Sequence, residues 1–178
     1  MRQQVPFQQV DVFTDTPFKG NPVAVVLDGN DLSSEEMQAI ANWTNLSETT
    51  FVCKPTDSRA DYKLRIFTPQ SELPFAGHPT IGSAFAVIKH GIQLKTPGHV
   101  VQECGTGLVP IHTDGNKLFL TLPEPNLTAI EPDHIAELAT ALGISSKSVK
   151  ASATIDVGAV WMTLQLSDSD KVRTLSRI

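Results

Sequence analysis

Residues 69–91 read PQSELPFAGHPTIGSAFAVIKHG, and the fold turns on them. The first part, with prolines at 69, 74 and 79, breaks regular structure. The second part then runs as one helix, with Pro79 in the first turn, where its missing N–H costs nothing, and Gly91 as the stop. Ile81, Ala84, Phe85, Ala86, Val87 and Ile88 leave this helix no polar face before Lys89, and Gly82, Ser83 and Ala84 are small enough for close backbone approach. A helix that is apolar nearly all round has to be enclosed, so the reading is a central helix from about Pro79 to His90 surrounded by sheet.

The flanking segments supply that sheet. QQVDVF alternates polar and apolar residues, TDTPFKGNP is rich in turn formers, and VAVVL has strong β propensity, which predicts two early strands about a Gly-Asn-Pro turn. Ser33 and Glu36 have capping-box spacing, and Met37, Ile40, Ala41 and Trp43 are placed on the inner face of the helix that follows. Glu48–Lys54 and Ala60–Thr68 read as a hairpin-like strand pair, with Tyr62, Leu64 and Ile66 on one side. Strands near Val100–Glu103 and Leu108–His112, an Asp114-Gly115-Asn116 turn and KLFLTL complete a first domain, residues 1–122. Pro123 and Pro125 mark the boundary. In 123–178 a helix from Pro132 to Leu142, strands at Ser152–Ile155 and Ala159–Leu166, and a helix capped by Ser167 and running into the C-terminus read as the start of a second domain, cut short. One helix and two strands bury little by themselves.

The composition is that of an ordinary globular protein, 40% hydrophobic and 19% charged, a balance that allows a buried core. The net charge of −5 comes from scattered acids, and no basic stripe is available to neutralise phosphates, so nucleic acid is not an expected partner. No segment has the roughly 18 apolar residues a membrane helix needs, and the first residues lack a signal-peptide pattern, so the expected location is cytoplasmic. Cys53 and Cys104 have neither CxxC spacing nor a histidine at metal-ligand distance, so two thiols in or near the core are expected, with no metal site.

Two residues have the chemistry for a site. His78, in FAGHPT, stands at the start of the buried helix, where free N–H groups and the helix dipole favour an anion such as a substrate carboxylate. Taken alone, the commoner role of such a histidine is to turn the chain and cap the helix. Glu48 stands at the entrance to the apolar strand ETTF, where burial would raise its pKa toward a useful range. A solvated carboxylate at a strand end is the commoner outcome for a lone glutamate. Glu72 and Asp11 have weaker claims, and Asn21 reads as a turn residue.

Three segments in this order, VDVFTDTPFKGNPVAVV, NLSETTFV and FTPQSELPFAGHPTIGSA, resemble the signature of the PhzF-like family, named for the phenazine biosynthesis isomerase. The resemblance implies an α/β (α+β) fold of diaminopimelate-epimerase type: two pseudo-symmetric domains, each a mixed sheet curved around a central helix, here with the second incomplete. It also implies a homodimer, a small carboxylate-bearing substrate of the dihydro-hydroxyanthranilate kind, and isomerisation without metal or organic cofactor. By the family pattern Glu48 would be the acid/base that takes a proton from one substrate carbon and returns it to another. His78 would assist by hydrogen bonding, and Ser47, Gly77 and Asn21 would contact substrate. Racemases and epimerases of the same fold use paired cysteines, one directly before the helix-start glycine, where this chain has Ala76. The competing readings are such a racemase or epimerase, and a binding or dimerisation module without turnover.

Overall fold

The computed structural model describes residues 4–115 and 117–175. The chain divides into two compact units, Met1–Pro123 and Glu124–Ile178.

In the first unit the elements run β1 (Phe7–Val12), β2 (Asn21–Val26), α1 (Ser34–Thr44), β3 (Thr49–Cys53), β4 (Tyr62–Phe67), β5 (Glu72–Leu73), α2 (Gly77–Lys89), β6 (His99–Cys104), β7 (Gly107–Asp114) and β8 (Lys117–Leu120). One mixed sheet orders them β1-β2-β3-β4-β6-β7-β8, with β5 also paired to β4. The parallel pairs are β2–β3 and β4–β6, and each is bridged by one helix, as parallel neighbours require. α2 packs against β1 and β2 near one end of this order and against β8 at the other. A flat sheet could not do that, so the sheet curls around α2.

The strand alternation explains which helix lies where. Val23 and Val25 of β2 cluster with Ala86 of α2, and Tyr62, Leu64 and Ile66 of β4 cluster with Ala84 and Val87. The opposite faces supply Val26, Phe51 and Phe67, which pack on Met37 and Ala41 of α1. β2 is therefore covered on both sides, which is why it reads as an unbroken apolar run. A chain of buried polar groups crosses the α2 side: Tyr62 Oη donates to Gln102 Oε1 at 3.0 Å, and Gln102 Nε2 donates to Thr80 Oγ1 at 3.1 Å.

Several local expectations are corrected. Asn21 and Pro22 are the first residues of β2, opposite Val12 and Asp11, so the turn is the segment before them. The capping box of Ser33 and Glu36 is present, but Trp43 is 85% exposed. It lies six residues on from Met37, about 240° round the helix and off the buried stripe. α2 is enclosed except at Phe85 and Lys89, which are exposed; Ile81 and Ile88 beside them are half-buried and pack on the sheet's core residues. The short β5 falls in a segment read as loop, and Asn116 of the expected turn lies outside the described residues.

The second unit holds β9 (Asn126–Thr128), α3 (Pro132–Ala141), β10 (Val149–Asp156), β11 (Val160–Leu166) and α4 (Ser169–Arg173), with its strands ordered β11-β10-β9. β9 follows directly on the boundary at Pro123 and Pro125, in residues to which the sequence assigned no element. α4 is capped by the side chain of Asp168, which accepts from Lys171 N–H, and it has ended by Thr174. Ser167 is thus one position too early, and the helix stops short of the last described residue. None of the described helices is long and apolar enough to cross a membrane.

Candidate active site

Glu48 is delivered to its place by the end of α1. Asn45 caps that helix in the left-handed region at φ 53°, a conformation asparagine tolerates. The hydroxyls of Thr44 and Thr49 lie 2.6 Å apart across the turn, and the Glu48 carbonyl accepts from Ala24 N–H of β2 at 3.4 Å. Further into β3, the Thr50 hydroxyl lies 2.8 Å from that of Ser83 on α2, both buried. This tie couples β3 to the helix that carries His78.

His78 occupies the second position of α2, and its Nδ1 comes within 3.0 Å of Glu48 Oε2, the two side chains being 10% and 16% exposed. Glu48 Oε2 and His78 Nε2 are both buried, and beyond this contact neither has a hydrogen-bond partner among the described residues. Buried polar atoms are normally satisfied, so an unsatisfied pair side by side is a place prepared for something else.

The helix start adds the third ingredient. Ala76 is the N-cap and provides no side-chain cap. The first N–H groups of a helix lack intrahelical partners, and Pro79 has none to offer. The N–H groups of Gly77 and His78 are thus left to face outward at the positive end of the helix dipole. A Cβ on Gly77 would meet only Leu120 Cδ2, at 3.7 Å, so little is packed against Gly77 on that side.

Of the expected site residues, the fold brings Glu48, His78 and Gly77 together from separate segments. Ser47 is exposed beside Glu48 in the chain, and Asn21, half-buried opposite Val12, has no described contact with the pair. Two further features stand at the end of the chain's first strand, one of them, Phe13, without a signal in the sequence and the other, Asp11, given only a weak claim there. The Phe13 ring lies 6.4 Å from the His78 ring, centre to centre, and Asp11 holds a buried Oδ2 without a hydrogen-bond partner among the described residues. Both belong to the end of β1, where only the course of the following turn decides what a side chain meets. Among the described residues, no group of three or more His, Cys, Asp or Glu is placed to hold a metal ion.

The pattern that defines the phenazine biosynthesis-like protein family matches residues 10–177. The chain belongs to this family. It is 48% identical over 177 residues to antisense-enhancing sequence 1 of Schizosaccharomyces pombe, covering 95% of this chain and 60% of that protein. It is 41% identical over 145 residues to trans-2,3-dihydro-3-hydroxyanthranilate isomerase of Pseudomonas chlororaphis, covering 78% of this chain and 49% of that one. Among solved structures, a Bacillus anthracis phenazine biosynthesis protein of the PhzF family superposes with a TM-score of 0.79 at 26% identity, over 97% of this chain and 59% of that one. The chain thus spans between about half and three fifths of the length of these relatives, and the α+β fold with a mixed sheet curled on a helix is the one they share.

Proposed function

We propose that this chain carries the proton-transfer site of an isomerase that moves a proton between two carbons of a small carboxylate-bearing substrate, with Glu48 as the acid/base. The observation that supports this best is the contact of His78 Nδ1 with Glu48 Oε2 at 3.0 Å, at a helix start without a side-chain cap. A substrate carboxylate accepts hydrogen bonds from the N–H groups of Gly77 and His78. The Glu48 carboxylate then takes a proton from a carbon made acidic by the substrate's own unsaturation. The electron pair left behind shifts the double bond, and the protonated Glu48 returns the proton to the carbon at the far end of the shifted bond. Nothing is oxidised or reduced, and Glu48 ends as it began. His78 holds the carboxylate by Nδ1 and offers Nε2 to the substrate. Both roles need the groups to be preorganised, which the Thr50–Ser83 tie supplies.

A thiol mechanism has less support. The Cys104 thiol faces Thr106 Oγ1 at 3.3 Å, and that of Cys53 faces the Phe51 carbonyl at 3.8 Å. Burial pushes the Cys53 thiol above its ordinary pKa, the wrong direction for a nucleophile or base.

The named Pseudomonas relative supplies the first substrate to try. The chain is incubated with trans-2,3-dihydro-3-hydroxyanthranilate in D₂O, and deuterium uptake at carbon is followed by NMR. The expected outcome is uptake with the wild-type chain and none above background with Glu48→Gln, whose circular dichroism stays that of the wild type. Uptake by the folded variant at the wild-type rate overturns the assignment.

A further inference from the structure

Phe13 follows the last residue of β1 with φ 67°, in the left-handed region that a bulky L residue occupies only at a cost. The cost is not recovered by burial, because the side chain is 72% exposed. Glycine would hold the same backbone without strain, so the position serves the side chain. Backbone strain kept at an exposed residue is characteristic of sites where a ligand is met.

Strain alone does not make a site, and the chain holds its own comparison. Phe18 has φ 65° and is 96% exposed, yet no ring contact of its own is described. Phe13 differs in two respects. Its ring lies 6.4 Å from that of His78, tilted at 51°. It also lines a cavity of about 400 Å³ together with Ile81 and Phe85 of α2 and Leu118 and Phe119 of β8, a size within the range of roughly 300–1,000 Å³ of small-molecule pockets. Ile81 and Phe85 lie on the less covered side of α2, the first half-buried and the second exposed. Neither Glu48 nor His78 lines this cavity, so Phe13 is the residue that the cavity and the proton-transfer pair have in common.

We infer that Phe13 is a specificity-determining residue, an aromatic wall against which a flat, unsaturated ring packs while its carboxylate sits at the start of α2. The inference rests on the proposed carboxylate site and adds the shape of the body attached to that carboxylate. An aromatic face distinguishes a planar ring from a puckered one of similar size, because only the planar ring stacks or meets it edge to face over its whole area. Of the remaining walls most are apolar, with Asp11, Thr14 and Lys117 the polar members, and none of those three separates a planar ring from a puckered one of the same size and charge.

The test uses equilibrium binding, not turnover. Dissociation constants for benzoate and cyclohexanecarboxylate are measured by ligand-observed NMR on the wild-type chain and on Phe13→Leu, Phe13→Gly and Phe18→Leu. The wild type is expected to prefer benzoate by about threefold to tenfold, the factor that an aromatic contact supplies. Phe13→Leu and Phe13→Gly are expected to bring that preference to about one, and Phe18→Leu to leave it whole. Phe13→Gly is expected to melt no lower than the wild type, since it gives up a strained φ and an exposed ring, so lost preference in it is not lost folding. Equal binding of the two acids by the wild type, no binding of either, or an unchanged preference in both Phe13 variants overturns the inference. The proton-transfer reading fails separately: its test is deuterium uptake, and a benzoate preference that depends on Phe13 would stand even if Glu48→Gln exchanged normally.

Discussion

Gly82→Ala tests whether close approach of α2 to the sheet is what holds the site together. On propensity alone the change stabilises a helix interior by about 1 kcal/mol. The packing opposes it. A Cβ on Gly82 would stand 2.4 Å from Val23 Cγ1 and 2.8 Å from Val12 Cγ2, whereas carbon atoms pack best at about 3.5–4.0 Å. Val23 is fully buried and Val12 nearly so, and valine has one short branched side chain that cannot swing clear. The helix must therefore move off β1 and β2 by roughly 1 Å, and overpacking of this kind costs about 1–3 kcal/mol. The net expectation is a loss of about 1 kcal/mol, read as a fall in the urea midpoint of about 0.5 M at unchanged slope. Because His78 rides on α2 and Glu48 on the entry to β3, the same displacement opens their contact, and deuterium uptake should fall with it. Val23→Ala by itself leaves a cavity, yet in the double variant the new methyl fills part of that space, so the double variant's loss should fall short of the sum of the two single losses by at least about 0.5 kcal/mol. Wild-type or higher stability in Gly82→Ala, or strict additivity in the double variant, refutes the reasoning.

Gln102→Leu removes the middle of the Tyr62–Gln102–Thr80 chain and strands two buried hydroxyls, at about 1–3 kcal/mol each; adding Thr80→Val and Tyr62→Phe should recover much of the loss in urea midpoint, and no recovery would sink the account. Glu103 accepts from the Thr56 hydroxyl and from the N–H groups of Thr56 and Asp57, and pairs with Lys63 at 3.1 Å, which holds its carboxyl down at about 2. A carboxyl depressed by folding stabilises above its unfolded pKa of about 4.3 and loses that contribution as pH falls toward 2. Glu103→Gln should therefore flatten the decline of thermal midpoint between pH 5 and pH 2, and an unchanged slope would count against this bonding pattern.

The legible parts of this fold were those with a local cause. The capping box at Ser33 and Glu36, the stop after α3 at Gly143 with φ 67°, and the alternation of Tyr62, Leu64 and Ile66 all follow from neighbours within a few positions. The misplaced elements each depended on a partner strand. β5 exists because Ile66 and Phe67 of β4 accept Leu73 and Glu72 across a turn, and Arg65 then pairs with Glu72 at 2.6 Å. β9 exists because β10 has an edge for it. Neither segment has a pattern of its own.

The same division runs through the site. From residues 69–91 alone came the buried helix from about Pro79 and the capacity of its start, near His78, to hold an anion, because helix ends and apolar periodicity are properties of contiguous residues; the structure sets the first helical residue at Gly77 and leaves that start without a side-chain cap. The sequence also identified Glu48 as an acid at the door of an apolar strand. What only the tertiary structure decided was that Glu48 Oε2 stands 3.0 Å from His78 Nδ1 and that Phe13 is turned to the same histidine. Those distances arise from the curl of the sheet around α2 and from a single left-handed residue at the end of β1. Each is a choice made by packing between segments tens of residues apart, which no local pattern encodes.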